Sequence, residues 1–254
     1  MVAALSFGGG VNSTALIAGM VERGVQPPAW LLFADTGGEH AETYDHVAAV
    51  DAWLEQRAWP RITRVSNAGQ HASLEAECLT NRTLPSLAFG NKGCSVKWKR
   101  QPQERFLRDQ PAVQEAWARG ELVTRFLGID AGEEHRAAGI PDDNRWRYEF
   151  PLIRWGWDRQ ECVAAIKRLG MPMPRKSACW FCPANRKAEV VELAREHPEL
   201  FKRAVAMEDN AELTTVKGLG RSYSWAELVK AEQSQRRLWP ELELPCMCMD
   251  GTDD

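Results

Sequence analysis

Residues 6–14 combine three glycines with hydroxyl and amide side chains, a composition that suits the binding of phosphate groups. Glycines let the backbone approach an anion closely, and a helix that begins there directs unpaired N–H groups toward it. No lysine precedes Ser13, which excludes a P-loop, and Ser13 stands where a dinucleotide fingerprint requires glycine. The alternative is a plain glycine turn between a strand and a helix. The predicted nucleotide-binding residues of this segment are Ser6, Gly8, Gly9, Gly10, Asn12 and Ser13.

A second polar segment follows the next apolar run, which ends at Asp35 and Thr36. Because ligands of open α/β sheets bind outside the carboxyl ends of the strands, both residues are expected beside the glycine segment. An acid at this position can accept hydrogen bonds from ribose hydroxyls. The alternative is a strand-end turn in which Glu42 stabilises the dipole of the following helix.

Seven cysteines are too few and too unevenly spread for a disulfide scaffold, and clustered cysteines indicate metal or redox chemistry. Cys179 and Cys182 form a C-x-x-C pair followed by proline, and Cys94 would complete a set of three. Such a set suits an iron–sulfur cluster, with structural zinc or plain buried thiols as alternatives. Cys246 or Cys248 would be the fourth ligand, or these two would carry a mobile nucleophile in the C-terminal tail. Cys78 and Cys162 are predicted to be core residues.

The stretch 92–108 holds six basic residues and a single acid, Glu104. With Trp98 embedded in it, the stretch could contact phosphates and stack on bases, so we consider a nucleic acid as a partner. The five histidines show no metal-like spacing.

The composition is that of a folded, soluble protein. Of 254 residues, 44% are hydrophobic and 26% are charged, and the net charge of −3 excludes a global field that attracts nucleic acid. No apolar run approaches the ~18 residues of a membrane span. The first residues predict a strand rather than a signal peptide, and the expected location is the cytoplasm.

Alternating apolar runs and helical patterns position these candidate residues. Strands are predicted at 2–7, 30–34, 61–65 and 122–128, with helices at 13–23 and 42–57 between them, the pattern of a parallel sheet with crossover helices. Residues 129–145 are predicted to form a long loop, and helices are predicted at 158–169, within 184–209 with a break at Pro198, and at 224–237. We therefore expect an α/β nucleotide-binding domain over 1–155 and a helical region over 156–254.

Five segments in series resemble the sulfonucleotide (PAPS) reductase family within the PP-loop ATP pyrophosphatase and adenine nucleotide α-hydrolase-like superfamily. They are D-T-G-x-x-x-x-E-T-Y at 35–44 and the stretches 94–102, 128–136, 150–155 and 177–183. The glycine segment is similar to the S-G-G-x-D-S loop of the superfamily. It differs in having Gly8 for the serine and Asn12 for the acid, and Asp130 stands where an arginine is common.

The resemblance implies a Rossmann-like (HUP-type) sheet, an adenine nucleotide as ligand, and Mg²⁺. It implies that Lys97, Arg100 and Arg136 contact phosphates as catalytic residues, and that Gly128 and Ile129 contact the nucleotide. It also implies a [4Fe–4S] cluster on cysteines, with one iron left open if the ligands are only three. The cysteines proposed as metal ligands are Cys94, Cys179, Cys182 and Cys248.

Three functions remain open from the sequence. The first is an ATP-dependent adenylating sulfurtransferase that uses a sulfur donor and an acceptor such as a nucleic acid or nucleobase. The second is a reductase that converts a sulfonucleotide (APS or PAPS) to sulfite with a thiol reductant. The third is a non-catalytic module that binds a nucleotide or a nucleic acid. The glycine segment is closer to the ATP-using type, which favours the first.

Overall fold

The computed structural model describes residues 2–67, 69 and 71–238. The chain divides into two compact units, of which the first combines Met1–Glu77 with Lys92–Trp180 and the second combines Cys78–Asn91 with Phe181–Asp254. This division differs from the boundary after residue 155 expected from the sequence. The helix Arg159–Arg168 lies in the first unit because its apolar residues, among them Cys162 and Ile166, belong to the core of that unit.

A five-stranded parallel sheet forms the centre of the first unit, with the strand order β3-β2-β1-β4-β5. Together with the flanking helices it confirms the predicted α/β, Rossmann-like class. The fifth strand was not predicted. It has only four residues, and its apolar residues alternate with charged ones, so it lacks the continuous apolar run of a buried strand. The strands are β1 Ala3–Ser6, β2 Trp30–Asp35, β3 Ile62–Ser66, β4 Val123–Leu127 and β5 Trp146–Glu149.

The helices agree with the predicted periodicity in the regions where the sequence is strongly patterned. The long loop expected over 129–145 contains two short turns of helix. The helices that precede β5 are α1 Val11–Glu22, α2 Ala41–Glu55, α3 Leu74–Thr80, α4 Gly93–Ser95, α5 Gln101–Arg108, α6 Pro111–Ala118 and α7 Glu134–Ala137. Those after it are α8 Pro151–Arg154, α9 Arg159–Arg168, α10 Lys187–Glu196, α11 Pro198–Asn210 and α12 Trp225–Leu238. Turns of 3₁₀ helix occur at Ser86–Phe89 and Ala131–Glu133, and a π-helical turn at Val96–Arg100.

Both faces of the sheet are covered, as successive side chains of a strand point to opposite sides. Leu5 and Phe7 pack with the buried residues of α1, α2 and α9 in one core. Ala4, the residue before Leu5, packs in a second core with residues of α5 and α6. Packing in the two cores holds β1 in place on both of its faces, and the first core also holds α1.

The helices α10, α11 and α12 pack together in the second unit. The buried carboxylate of Glu208 on α11 accepts backbone N–H groups of Leu219 at 2.7 Å and Trp225 at 3.0 Å, tying the connecting loop to α12. Burial raises the pKa of Glu208 above the usual value, against the effect of these hydrogen bonds.

Across the described residues, no helix is both long and apolar enough to span a membrane.

Candidate functional site

The glycine segment lies at the point where the order of the strands reverses. From β1 the chain passes through α1 to β2 on one side, while β4 pairs with β1 on the other side. Ligands of open α/β sheets bind in the crevice outside the carboxyl ends of such strands. Residues 7–10 and 128–130 follow β1 and β4, so the fold brings both predicted nucleotide-binding segments to this crevice.

The N-terminus of α1 is open. Gly10 is its N-cap residue, no side chain among the described residues caps it, and its first turn contains no acid. The hydroxyl groups of Ser13 and Thr14 lie 3.1 and 2.9 Å from the Gly10 carbonyl oxygen, which stiffens the turn. The N–H groups of a first helical turn have no intrahelical acceptors. The turn therefore has the donors and the dipole that an anion requires.

Two glycines of the site have a structural requirement of their own. Gly9 has φ +70°, and a Cβ there would lie 3.0 Å from Cγ2 of Thr43. A Cβ on Gly128 would lie 2.8 Å from the backbone of Asn12 and Ser13, so β4 can approach α1 only because this residue is glycine. A Cβ on Gly8, in contrast, would have one neighbour within 4 Å, the Ser13 hydroxyl oxygen at 3.9 Å.

Asn12 joins the glycine segment to the residues that follow β4. Its Nδ2 donates to Oδ2 of Asp130 at 2.9 Å and to Oε2 of Glu133 at 3.3 Å. Arg136 donates to the same carboxylate of Glu133 at 2.6 Å, and Arg159 donates to Oδ1 of Asn12 at 3.1 Å. Two of the three departures from the motifs, Asn12 and Asp130, thus form one pair, because the amide at 12 donates to the acid at 130.

A cavity of about 500 Å³ adjoins this network. The cavity is lined by residues of both charge signs. Arg159 is basic, whereas Asp130 and Glu133 of the loop and Asp158, the N-cap residue of α9, are acidic. The lining residues are Asn12, Asp130, Gly132, Glu133, Asp158, Arg159 and Gln160. Ile129, predicted to contact the nucleotide, is buried and is not among these lining residues, and its N–H donates to Leu127 O at 3.0 Å.

Asp35 holds the turn that follows β2. Its Oδ1 accepts the Gly37 N–H at 2.8 Å and the Tyr44 hydroxyl at 2.7 Å, and its Oδ2 accepts Nε of Arg64 at 2.9 Å. Burial raises the pKa of Asp35, but these hydrogen bonds and the Arg64 charge outweigh it and lower the pKa below the usual value. Burial and the bond to Asp35 raise the pKa of Tyr44. Asp35 is therefore ionised and already engaged by protein donors.

Ser6 lies on a network centred on a buried arginine that sequence reasoning missed. Arg125 of β4 is 3% exposed and donates to Gln103 at 2.8 Å, to the Ser6 hydroxyl at 3.3 Å and to Glu104 at 3.3 Å. Ser6 in turn donates to Gln103 at 2.6 Å. Burial lowers the pKa of Arg125 from its usual value. The only sequence signal is a charged residue inside an apolar strand pattern.

The predicted phosphate-binding cations are paired with carboxylates. Lys97 pairs with Glu77, Arg100 lies 3.4 Å from Glu104, and Arg136 pairs with Glu133 as described above. Each of the three side chains remains about half exposed. Their partners differ, because Glu77 and Glu104 are largely buried whereas Glu133 is 38% exposed, so the pair of Arg136 with Glu133 is the most accessible to solvent.

The basic stretch 92–108 is not a free basic patch, which corrects the interpretation from the sequence. Acids from elsewhere in the fold pair with its cations, such as Glu39 with Lys99 at 2.9 Å. Trp98 is 1% exposed, and its Nε1 donates to Glu77 at 2.5 Å. A buried indole cannot stack on a base, so the observation that favoured nucleic-acid binding does not hold.

The cysteines occupy different environments. Cys94 is partly buried in the short helix α4, and Cys179 is buried in the first unit. Cys182 belongs to the second unit, and Cys246 and Cys248 lie outside the described residues. Cys78 and Cys162 are buried, as predicted, and burial raises the pKa of Cys162 to about 12.

Cys179 contacts polar residues of the turn after β2. Its Sγ lies 3.1 Å from the hydroxyl of Thr36 and 3.9 Å from Oε1 of Glu39. An antiparallel bridge between Glu39 and Cys179 and the bond from Trp180 N to Gly38 O at 2.9 Å hold the two segments together. The fold thus joins the predicted nucleotide-binding Thr36 to a predicted metal ligand.

His46 of α2 is a further residue that sequence reasoning missed. It is buried, its Nε2 lies 2.9 Å from the hydroxyl of Thr14, and its ring stacks on Phe7 with 6.2 Å between ring centroids. Burial lowers its pKa to about 4, so the ring is neutral at pH 7. His46 therefore supports the start of α1 from beneath.

Comparisons with known proteins find likenesses among solved structures. No protein-family model matches the chain, and no curated protein matches it. Among the solved structures that match is phosphoadenylyl-sulfate (PAPS) reductase from Candida auris in a phosphate complex, with 19% sequence identity and a TM-score of 0.47. The match covers 71% of this chain and 82% of that chain.

Proposed function

We propose that the chain is an enzyme that binds an adenine nucleotide by its phosphates at the carboxyl ends of β1 and β4. The observation that carries this proposal is the uncapped N-terminus of α1, preceded by three glycines, at the reversal of strand order. The neutral side chain of Asn12 adds no negative charge to this turn. Phosphate oxygens would accept hydrogen bonds from the backbone of residues 8–13 and from the Ser13 hydroxyl.

Three cations would contact the phosphates by exchanging a carboxylate for a phosphate oxygen. Arg136 is linked to the glycine segment through Glu133 and Asn12, so a short side-chain movement would bring it to a bound phosphate. Lys97 and Arg100 would contribute in the same way from the π-helical turn. Asp35, whose oxygens accept protein donors, would act chiefly by holding Thr36 in place.

The reaction we propose is adenylation followed by sulfur transfer. With MgATP as substrate, an acceptor oxygen would attack the α-phosphorus, the bond to the β-phosphate would break, and pyrophosphate would leave into the glycine segment. A sulfur nucleophile from a donor would then attack the acceptor and displace AMP. Backbone N–H groups would stabilise the charge that develops on the leaving pyrophosphate.

A cysteine-bound [4Fe–4S] cluster is the cofactor that we propose, with Cys94, Cys179 and Cys182 as ligands. The polar contacts of Cys179 include the Thr36 hydroxyl at 3.1 Å and Oε1 of Glu39 at 3.9 Å. When bound, a cluster of this kind supplies electrons or sulfide. Zinc on the same residues is the alternative that metal analysis would detect.

Binding tests the phosphate site directly. We expect ATP to bind at least about tenfold more tightly than adenosine in titration calorimetry, because charge-assisted bonds to phosphate add more than 1 kcal/mol each. Arg136→Ala should weaken ATP binding about tenfold. Arg119→Ala is the matched control, since Arg119 is likewise exposed and paired with a glutamate, Glu121. Equal affinities for ATP and adenosine would contradict the site.

Product analysis separates the reactions. The anaerobically purified chain is incubated with MgATP, or with APS or PAPS and a thiol reductant. Pyrophosphate release from ATP supports adenylation. Sulfite release from APS or PAPS, with none of the pyrophosphate, would assign the chain to sulfonucleotide reduction instead. Tight nucleotide binding with neither product would leave a non-catalytic module.

A further inference from the structure

A buried polar network lies on the face of the sheet that α5 and α6 cover, at the carboxyl end of β1. Its central side chains are Ser6 at the end of β1, Arg125 of β4 and Gln103 of α5. Gln103 is 6% exposed and Arg125 is 3% exposed, so both are enclosed. All three residues belong to the first unit. The network therefore connects a predicted nucleotide-binding residue to two side chains that no motif indicates.

The hydrogen bonds of this network fix the orientation of the Gln103 amide. Its Oε1 accepts Nη2 of Arg125 at 2.8 Å and the Ser6 hydroxyl at 2.6 Å. A guanidinium group only donates, so the atom of Gln103 that faces it must be the oxygen. None of the hydrogen bonds among the described residues uses Nε2 of Gln103. The amide consequently keeps two N–H donors for a group that accepts hydrogen bonds.

Arg125 is held firmly, yet its burial is not explained by stability. Its Nη1 donates to Glu104 at 3.3 Å, and its guanidinium lies 5.6 and 5.7 Å from the ring centroids of Trp146 and Tyr148. Its Nε is buried and has no hydrogen-bond partner among the described residues, which is costly. Apolar residues of similar volume often replace buried ionic groups without loss of stability. A role at the carboxyl edge of the sheet accounts for an arginine at this position.

We propose that Gln103 contacts the phosphate chain of the bound nucleotide through Nε2, and that Arg125 is the residue that positions it. The inference rests on the proposed nucleotide site and adds a donor to it. Arg125 pairs in register with Ala4, two residues before the end of β1, so its guanidinium approaches Gln103 from within the sheet. Oε1 thus faces inward, and Nε2 faces the carboxyl edge, where the glycine segment follows Ser6.

The surroundings of Gln103 suit a phosphate group. Arg100, a predicted phosphate-binding cation, precedes Gln103 by three residues, so the two side chains project from the same side of the helix. Arg100 also lies 3.4 Å from Glu104, which Arg125 contacts from the other direction. Phosphate oxygens are charged acceptors, which form stronger hydrogen bonds with an N–H donor than neutral acceptors do. Adenosine lacks these oxygens, so its binding should not depend on Nε2.

Titration calorimetry with ATP and with adenosine tests this contact. Gln103→Met keeps the length of the side chain and removes its N–H donors. We expect it to bind ATP about tenfold more weakly than the wild type, because a hydrogen bond to a charged group is lost, and to bind adenosine equally well. Gln101→Met is the matched control, since Gln101 lies on the same helix but is exposed, and it should bind both ligands as the wild type does. Urea unfolding of each variant monitors folding. If Gln103→Met does not fold, Gln103→Glu, which keeps the acceptor for Arg125, is compared with Gln101→Glu, which adds the same charge.

A double-mutant cycle separates the positioning role of Arg125 from a merely structural one. Arg125→Met leaves the Gln103 amide free to rotate and should lower the ratio of the ATP and adenosine affinities several-fold, while Glu104 keeps Arg100 and Arg108 as partners. In the Gln103→Met background the same substitution should change this ratio no further, because Arg125 acts through Gln103. Additive losses from the two substitutions would overturn the positioning role.

The remaining outcomes distinguish this inference from the proposed site. If folded Gln103→Met binds ATP as tightly as the wild type, the contact is overturned, while a wild type that prefers ATP to adenosine keeps the phosphate site. Equal losses of affinity for ATP and adenosine would place Gln103 at the nucleoside and overturn the phosphate contact. A wild type that binds ATP no more tightly than adenosine would overturn the proposed site and this inference together.

Discussion

Gly128 sets how closely β4 approaches the start of α1. A Cβ at this position would lie 2.8 Å from the backbone of Asn12 and Ser13, and backbone atoms at that distance cannot move aside cheaply. We expect Gly128→Ala to lower the free energy of unfolding by about 1–3 kcal/mol, the usual cost of overpacking, and to weaken ATP binding. Urea unfolding and calorimetry measure the two effects. Gly139→Ala is the control, because its Cβ would find an ordinary 3.7 Å contact; equal stability of both variants would contradict the prediction.

His46 makes the stability of the first unit depend on pH. The unfolded histidine binds a proton near pH 6.5, whereas burial lowers the pKa of the folded residue to about 4. The unfolded state therefore gains protons first as the pH falls, and stability decreases between these two values by up to about 3 kcal/mol. His46→Gln should remove this part of the pH dependence in urea unfolding between pH 7 and 4.5. The substitution of the exposed His135 by Gln is the control and should leave this pH dependence unchanged. If the free energy of unfolding of His46→Gln varies with pH as in the wild type, His46 is not its source.

Helix α9 depends on one capping residue at its junction with the candidate site. The Asp158 carboxylate accepts the N–H groups of Gln160 and Glu161, both at 2.9 Å, and Arg159 next to it bonds Asn12. Asp158→Ala should cost about 1 kcal/mol in the free energy of unfolding and should weaken ATP binding through the displaced Arg159. Asp158→Ser, which can still cap the helix, should retain most of the stability and most of the affinity for ATP. An Ala variant as stable as the wild type would show that the cap contributes nothing.

The two compact units should respond to acid in opposite directions. Protonation of unfolded His46 destabilises the first unit as the pH falls. In the second unit burial raises the pKa of Glu208, so its folded carboxyl binds a proton first and stability increases as the pH falls toward the unfolded pKa of 4.5. Hydrogen exchange at pH 7 and pH 5, corrected for intrinsic rates, should show protection falling in α1 relative to α11. Glu208→Gln should abolish the trend in α11, and parallel changes in both helices would contradict the prediction.

Local patterns predicted most of the elements. The strand–helix alternation of the first unit and the break at Pro198 follow from periodicity and proline, which act over a few residues. The strand β5 and the turns within 129–145 could not be predicted, because Trp146 becomes buried and Tyr148 partly buried only where β5 pairs with β4. The packing of α9 against α1, which moved the boundary between units, likewise depends on contacts between distant residues.

The types and order of the site residues were readable from the chain, because glycines before a helix, an acid after a strand and a C-x-x-C pair express short-range chemistry. The residues that pair with these site residues could not be predicted from the chain. Acids from distant segments pair with Lys97 and Lys99. Arg125 is buried and bonds Ser6, and Glu39 lies beside Cys179, which is 140 residues away in the sequence. Charge pairing and burial depend on distance in space, and only the folded chain sets those distances. The sequence alone therefore determined the fold class and the candidate phosphate segment, while the tertiary structure decided which charges are paired and which polar side chains are buried.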